Sequence, residues 1–284
     1  MKVGMIGLGA MGVGMARNLA KAGLLTYVYN RTLNKAEKLA KELNVGYSIS
    51  PQQLAAQVDI ILICVSADED VLHIVNAIFE TIRPEVIVID MSTVSNETAK
   101  KAASLLSIKQ AYFLDAPVSG GVEGAKNGSL AMMVGGNKNT LEKARHILDV
   151  ISSKIIYMGN TGAGQSTKAV NQIMAAGINQ AVTEALAFAQ AQGLEMTQVI
   201  DVVSAGAAGN WFLQHRGASM TQGDFEAGFK LALHHKDLKI CQAMAKQKKC
   251  STAVIDKTLT DYEELLKQGF ADEDISALYR LKRN

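Results

Sequence analysis

The first 160 residues alternate short, almost wholly apolar runs with stretches of helical spacing, a pattern that few architectures accept. Val3–Ile6, Thr26–Tyr29, Ile60–Val65, Val86–Ile89 and Tyr112–Leu114 read as strands. A strand needs such composition when helices cover both of its faces, as in a parallel sheet. Between these runs, Met11–Lys21, Asn34–Leu43, Asp68–Glu80 and Asn96–Leu106 carry helical spacing, with Asn34 and Asp68 placed as N-caps. The order predicts an α/β fold with a doubly wound sheet. Leu130–Val134, a helix over Asn139–Ile151, and Ile155–Tyr157 would extend it.

After Gly164 the strand pattern stops. Gln165–Gln192 holds no proline and one glycine, Gly177. It reads as a single helix of roughly 28 residues, about 40 Å long. The helix is apolar on nearly all sides, so burial by more than one neighbour is expected. Met196–Ser204, Trp211–Met220, Leu231–Gln247, Thr252–Lys267 and Asp272–Leu281 read as further helices. The boundary is expected near Gly162–Gly164, dividing the chain into 1–161 and an all-helical domain, 162–284, that opens with the long helix.

Two domains suit 284 residues, and 48% apolar against 20% charged residues excludes a disordered chain. Twenty-nine Lys and Arg nearly balance 27 Asp and Glu, which argues against a nucleic-acid partner. Cys64, Cys241 and Cys250 lack metal-type spacing and cannot all pair, so a reducing cytoplasm is the expected location. The apolar start is broken by Gly4, Gly7, Gly9, Gly12 and Gly14 before Arg17, unlike an export signal, and no window suits a membrane span.

Gly7-Leu8-Gly9-Ala10-Met11-Gly12 follows one expected strand and opens one expected helix. The first glycine permits a tight turn, the second lets backbone amides approach a pyrophosphate, and the third allows close helix–strand packing. The helix N-terminus adds unpaired N–H groups for the phosphates. The first domain therefore reads as a Rossmann dinucleotide-binding domain. At the end of the second strand, an NAD enzyme wants a carboxylate for the ribose hydroxyls. This chain has Asn30-Arg31-Thr32 and no acid until Glu37. Arg31 can pair with a 2′-phosphate and Thr32 can donate to it, which points to NADP rather than NAD. Val65-Ser66 and Thr93, at or just past strand carboxyl ends, fall where such sheets bind a cofactor.

With that loop placed, Ile6–Gly12 followed by Met15-Ala16-Arg17-Asn18-Leu19 resembles the signature of the β-hydroxyacid dehydrogenase family. That family includes 3-hydroxyisobutyrate dehydrogenases, tartronate semialdehyde reductases and glyoxylate/succinic semialdehyde reductases. Asp115-Ala116-Pro117-Val118-Ser119-Gly120-Gly121 is similar to its substrate-binding segment. Gly162-Ala163-Gly164-Gln165-Ser166-Thr167-Lys168 is similar to its catalytic segment. Phe225-Glu226-Ala227-Gly228-Phe229, leading to His235-Lys236-Asp237-Leu238, resembles its C-terminal motif. The resemblance implies that Lys236 lies near the nicotinamide. Many relatives carry asparagine four residues after the lysine; here that place is Gln172, with Asn171 three residues after Lys168. Both spacings lie on the lysine's side of a helix, so which amide meets substrate is open.

Oxidising an alcohol with a nicotinamide needs a base for the hydroxyl proton; in reverse the same group is the acid. Lys168 is the candidate. A free lysine titrates near about 10.4, and a cationic nicotinamide ring with desolvation would lower that value. Ser119-Gly120-Gly121 offers a hydroxyl and amide N–H groups in a small-residue loop, a cradle for a substrate carboxylate. Trp211, the single tryptophan, could wall the substrate pocket or fill a core. His234 and His235 have no acid or cysteine at ligand spacing, so no metal is read.

The expectation is hydride transfer between NADP(H) and a small β- or γ-hydroxy acid or semialdehyde carboxylate. A non-catalytic dinucleotide-binding protein would be marked by a missing lysine, and an imine reductase would usually lack both the lysine and the Ser-Gly-Gly cradle. The apolar long helix makes a homodimer or homotetramer expected, since a neighbouring subunit could bury it.

Overall fold

A computed structural model describes residues 1–283. The chain divides into two compact units, one ending at Lys168 and the other beginning at Ala169, so the division falls inside a helix.

The first unit opens with β1 (Val3–Ile6), α1 (Ala10–Lys21), β2 (Leu25–Tyr29), α2 (Leu33–Leu43), β3 (Gly46–Tyr47) and α3 (Pro51–Ala55). It continues through β4 (Ile60–Ile63), α4 (Asp68–Ile78), β5 (Ile87–Asp90), α5 (Asn96–Ile108) and β6 (Tyr112–Asp115). Next come β7 (Val118–Ser119), α6 (Gly121–Asn127), β8 (Leu130–Gly136), α7 (Lys138–Leu148), β9 (Ser152–Gly159) and the start of α8 (Ala163–Ala191). One sheet runs in the order β3-β2-β1-β4-β5-β6-β8-β7, with β9 on β8. The strands from β3 to β6 pair in parallel, whereas β8 runs antiparallel to β6 and β7.

Alternation of side chains along β4 shows why these runs had to be apolar throughout. Ile60 and Leu62 enter a core with Met5, Met15, Leu19 and Ile89, while Ile61 and Ile63 enter a second core with Val71, Val75 and Val88. Both faces are covered, as the unbroken apolar pattern requires. The chain order reverses beside β1, so β2 and β4 flank it and their carboxyl ends open the crevice where such sheets take ligands.

Two expected caps are corrected. Thr32 stands at the N-cap of α2, leaving Asn34 inside the first turn. Ala67 occupies the N-cap position of α4 without a side-chain cap, and Asp68 is the first helical residue. The Asp68 carboxylate is drawn away by a tertiary partner, accepting from Ser95 N at 2.9 Å and Thr98 Oγ1 at 2.6 Å. The short elements β3, α3, β7 and α6 are too brief to leave a periodic trace and were not expected.

The second unit comprises the rest of α8, then α9 (Met196–Ser204), α10 (Trp211–Thr221), α11 (Leu231–Gln247), α12 (Ala253–Lys267) and a closing 3₁₀ helix, Ile275–Leu281. Leu186, Leu213, Leu238, Tyr262 and Leu278 lie in its core. In place of the expected α-helix over Asp272–Leu281 stands the 3₁₀ helix, and Asp274 at its N-cap serves as a junction: its carboxylate accepts from Ser276 N, Gly228 N and Phe229 N. The long helix differs from expectation on one side. Val170, Met174 and Phe188 are 56–65% exposed, so a stripe of α8 has no cover in this chain. No helix among the described residues is long and apolar enough to cross a membrane.

Candidate active site

The glycine loop has the shape a pyrophosphate needs. Gly7 has φ +95°, and a Cβ there would overlap the Cys64 carbonyl oxygen; one at Gly12 would overlap the Gly7 carbonyl oxygen. A Cβ at Gly9 would meet nothing within 4 Å, so the middle of the loop is open to an incoming group. Two backbone amides hold the turn: Gly7 N donates to the Tyr29 carbonyl oxygen at 3.0 Å, and Leu8 N donates to the Asn30 side-chain Oδ1 at 3.0 Å. Asn30 thus fastens the loop to the end of β2. Gly9, Ala10 and Met11 then lead into α1, where the third glycine sits buried. These residues fit a bound dinucleotide.

Arg31 and Thr32 are exposed at the end of β2, with Thr32 starting α2. Arg31 Nη1 lies 3.1 Å from Asp70 Oδ1, in the first turn of α4. Since β2 and β4 flank β1, this pair reaches from the loop after β2 to the helix after β4. An exposed pair of this kind is weak and easily exchanged for another anion.

The loops after β4 and β5 are tied together. Val65 N donates to Ser92 Oγ at 2.9 Å, and Ser92 N donates to Asp90 Oδ1 at 3.0 Å. Ser66 is exposed and Thr93 half-buried beside this join. Asp90 is wholly buried, and its Oδ2 has no hydrogen-bond partner. Burial pushes its carboxyl up to about 7 against the Ser92 bonds, with the Asp115 and Asp68 charges adding to the rise.

Ser119 ends β7 half-buried, Gly120 is exposed with φ +128°, and Gly121 begins α6 with φ +62°. The small-residue loop expected here is therefore the entry to a short helix. That helix packs on α1 where a Cβ at Gly14 would press on Ala125 backbone. Asn18 Nδ2 donates to Ala125 O at 2.8 Å and Lys126 O at 3.1 Å, satisfying carbonyls at the end of α6.

Lys168 lies between one and two turns into α8 and is only 7% exposed. The start of α8 is held from below by Asp115, the last residue of β6. Its carboxylate accepts from Gly162 N at 2.8 Å and Gln165 N at 3.0 Å. Burial raises the Asp115 carboxyl, while these backbone bonds pull it down. A Cβ at Gly164 would overlap the Met133 and Asp115 carbonyl oxygens, so only glycine lets the helix approach the strands this closely. The Gln165 side chain donates from Nε2 to Ser92 O at 2.8 Å and accepts at Oε1 from Val94 N at 3.2 Å.

In the second unit, Asn171, Gln172, Asp237 and Lys236 form a chain. Asn171 Nδ2 donates to Gln172 Oε1 at 2.8 Å, Gln172 Nε2 donates to Asp237 Oδ2 at 2.6 Å, and Lys236 Nζ lies 2.7 Å from Asp237 Oδ1. Gln172 and Asp237 are buried, whereas Asn171 and Lys236 are half-exposed. Both hydrogen-bonding ends of Gln172 are thus used inside this unit. Trp211 is 60% exposed at the start of α10, stacked on His215 with ring centroids 4.2 Å apart; it fills no core.

Sequence reading passed over Asn18, Ser92, Asp115 and Gln165 as individual residues. Asn18, Asp115 and Gln165 sit inside the family-like motifs, and for Gln165 its place directly after Gly164 was the available signal.

A cleft of about 430 Å³ lined by Lys2, Tyr27, Asp59 and Arg83 lies towards the amino ends of β1 and β4, away from all these residues. Residues 2–159 match the family described as the NAD binding domain of 6-phosphogluconate dehydrogenase. Residues 162–282 match the NAD-binding family of NADP-dependent 3-hydroxyisobutyrate dehydrogenase. An uncharacterized oxidoreductase, YkwC, of Bacillus subtilis is 36% identical, covering 98% of each chain. The 2-hydroxy-3-oxopropionate reductase of Escherichia coli is 35% identical, over 87% of this chain and 85% of its own. The NAD-dependent L-serine dehydrogenase of Pseudomonas aeruginosa is 31% identical, over 99% and 97%. Among solved structures, the Mycobacterium tuberculosis 3-hydroxyisobutyrate dehydrogenase with L-serine superposes with a TM-score of 0.91 at 30% identity, covering 100% of this chain and 99% of that one. This chain belongs to the 3-hydroxyisobutyrate dehydrogenase family of NAD(P)-dependent β-hydroxyacid dehydrogenases.

Proposed function

We propose that the protein transfers hydride between NADP(H) and a small β- or γ-hydroxy acid or the matching semialdehyde carboxylate, with Lys168 as general acid and base. The observation that carries this reading is a buried lysine on a helix whose start is fastened to the carboxyl ends of β5 and β6. When bound, the nicotinamide supplies or accepts the hydride. Lys168 Nζ takes the hydroxyl proton during oxidation and returns it to the forming alkoxide during reduction. Ser119, Gly120 and Gly121 hold the substrate carboxylate through the Ser119 hydroxyl and neighbouring N–H groups. Gly7–Gly12 receives the pyrophosphate, Arg31 and Thr32 the 2′-phosphate, and Val65, Ser66 and Thr93 the nicotinamide side, with Asn30 holding the loop.

From the second unit we assign Asn171 to the substrate, because Gln172 is buried and committed to Asp237. Lys236 is assigned to the cofactor and Trp211 to the substrate. Substrates named for relatives, L-serine and 2-hydroxy-3-oxopropionate, belong to this chemical class. Arg31 in place of a ribose-binding acid supports NADP. The exposed apolar stripe of α8 supports a homodimer or homotetramer, and the free thiols of Cys64, Cys241 and Cys250 support a reducing cytoplasm. A panel of 3-hydroxyisobutyrate, L-serine, glyoxylate, and succinic and tartronate semialdehydes, each assayed with NADP(H) and NAD(H), tests the proposal. Turnover of none of them, or a consistent preference for NAD(H), would count against it.

A further inference from the structure

We infer that Gln165 is a positioning residue for Lys168, joining the loop after β5 to the lysine's helix so that the amine and the nicotinamide loop keep a fixed register; the inference rests on Lys168 being the proton-transfer group. Gln165 is 1% exposed, and three of its polar groups are engaged. Its side chain brackets Thr93, donating to the carbonyl of Ser92 on one side and accepting from the N–H of Val94 on the other. Its own N–H goes to Asp115. Ser92 in turn receives Val65 N, so two loops assigned to the cofactor and the helix carrying Lys168 converge on one buried amide.

A glutamine amide meets both demands with a separate atom for each and at any pH. Ser92 offers an acceptor and Val94 a donor, so the bridge must donate at one end and accept at the other. Leucine would leave both backbone groups buried and unpaired. A carboxylate would satisfy Val94 N but set a negative oxygen against Ser92 O, whereas a protonated carboxyl would restore the donor. Gln165 and Lys168 are three residues apart on one helix, so a shift at the first displaces the second. Displacements of about 1 Å at a reacting group are enough to cost up to about 100-fold in rate.

The test uses the full chain in three variants, Gln165→Leu, Gln165→Glu and Lys168→Ala, with NADPH affinity followed by fluorescence. Gln165→Leu should keep its NADPH Kd within about threefold of wild type and lose kcat by at least about tenfold. Gln165→Glu should show an acidic limb absent from wild type, its kcat recovering as the introduced carboxyl takes up a proton. A second readout needs no turnover. In the cofactor-free protein, competitive acylation read by peptide mass spectrometry should label Lys168 at least about threefold faster in Gln165→Leu, with exposed Lys154 unchanged. If Gln165→Leu does not fold, the acidic limb of Gln165→Glu decides. Wild-type kcat at all pH values in Gln165→Glu, or unchanged Lys168 labelling in folded Gln165→Leu, overturns the inference. Hydride transfer in Lys168→Ala within about threefold of wild type would instead sink the catalytic role of the lysine, while labelling still judges the joint.

Discussion

The side-chain amide of Asn18 reaches 2.8 Å to the carbonyl oxygen of Ala125, tying the helix that opens with the glycine loop to the short helix that follows Ser119. Helix α6 has only seven residues, too short to be stable alone, so its position is set by what it packs against. Asn18→Ala removes the donor for both Ala125 O and Lys126 O. The variant should lose about 1–2 kcal/mol of unfolding free energy in urea. Because α6 carries Gly121, the KM for the carboxylate substrate should rise more than that for the cofactor. A stability equal to wild type would mean that the bond is not formed in solution.

Arg31 offers a direct reading of cofactor choice. Its guanidinium rests against Asp70 in an exposed pair that a phosphate can displace. Arg31→Ala should raise the KM for NADP at least about tenfold, the worth of one charge-assisted contact, and change that for NAD by less than about threefold. Steady-state kinetics with both cofactors checks this. Equal losses would remove Arg31 from the 2′-phosphate site.

Lys168→Ala should lower single-turnover hydride transfer by about 100- to 10,000-fold, the usual contribution of a positioned acid–base group. NADPH affinity should stay within a few-fold. Lys168→Arg should not restore the rate, because a guanidinium does not release its proton near neutral pH. Rescue by arginine would show that charge alone suffices.

The strands and long helices were legible because burial on both faces leaves unbroken apolar runs, as Ile60–Ile63 shows, and because α8 holds no proline and only Gly177 between Gln165 and Gln192. The glycine loop was legible since each glycine answers a separate steric demand. What stayed hidden depends on contacts distant in sequence. Asp68 has the composition of a cap, yet Ser95 and Thr98, 27 and 30 residues away, claim its carboxylate. Gln165 meets Ser92 across 73 positions, and no local pattern reports such a pairing. Asp115 could be quoted in a motif, yet its work, receiving the start of α8 from 47 residues away, is visible only in the fold.

Asp90 should make stability fall as pH rises. It ends β5 opposite Asp115 in the strand register, fully buried, with one carboxylate oxygen bonded to Ser92 and the other unpaired. Burial raises its carboxyl to about 7, with Asp115 and Asp68 disfavouring a further negative charge. An unfolded aspartate titrates near about 3.9, so between that value and about 7 the folded chain holds the extra proton. The raised carboxyl's contribution is therefore complete below about pH 4, declines by up to about 1.4 kcal/mol per pH unit, and is lost as pH passes about 7. Asp90→Asn keeps an acceptor for Ser92 N and carries no charge at any pH. Relative to wild type, the variant should gain stability from pH 5 to about pH 7 in urea unfolding, with the advantage levelling off by pH 8. Parallel curves for the two proteins across that range would show that Asp90 does not titrate there.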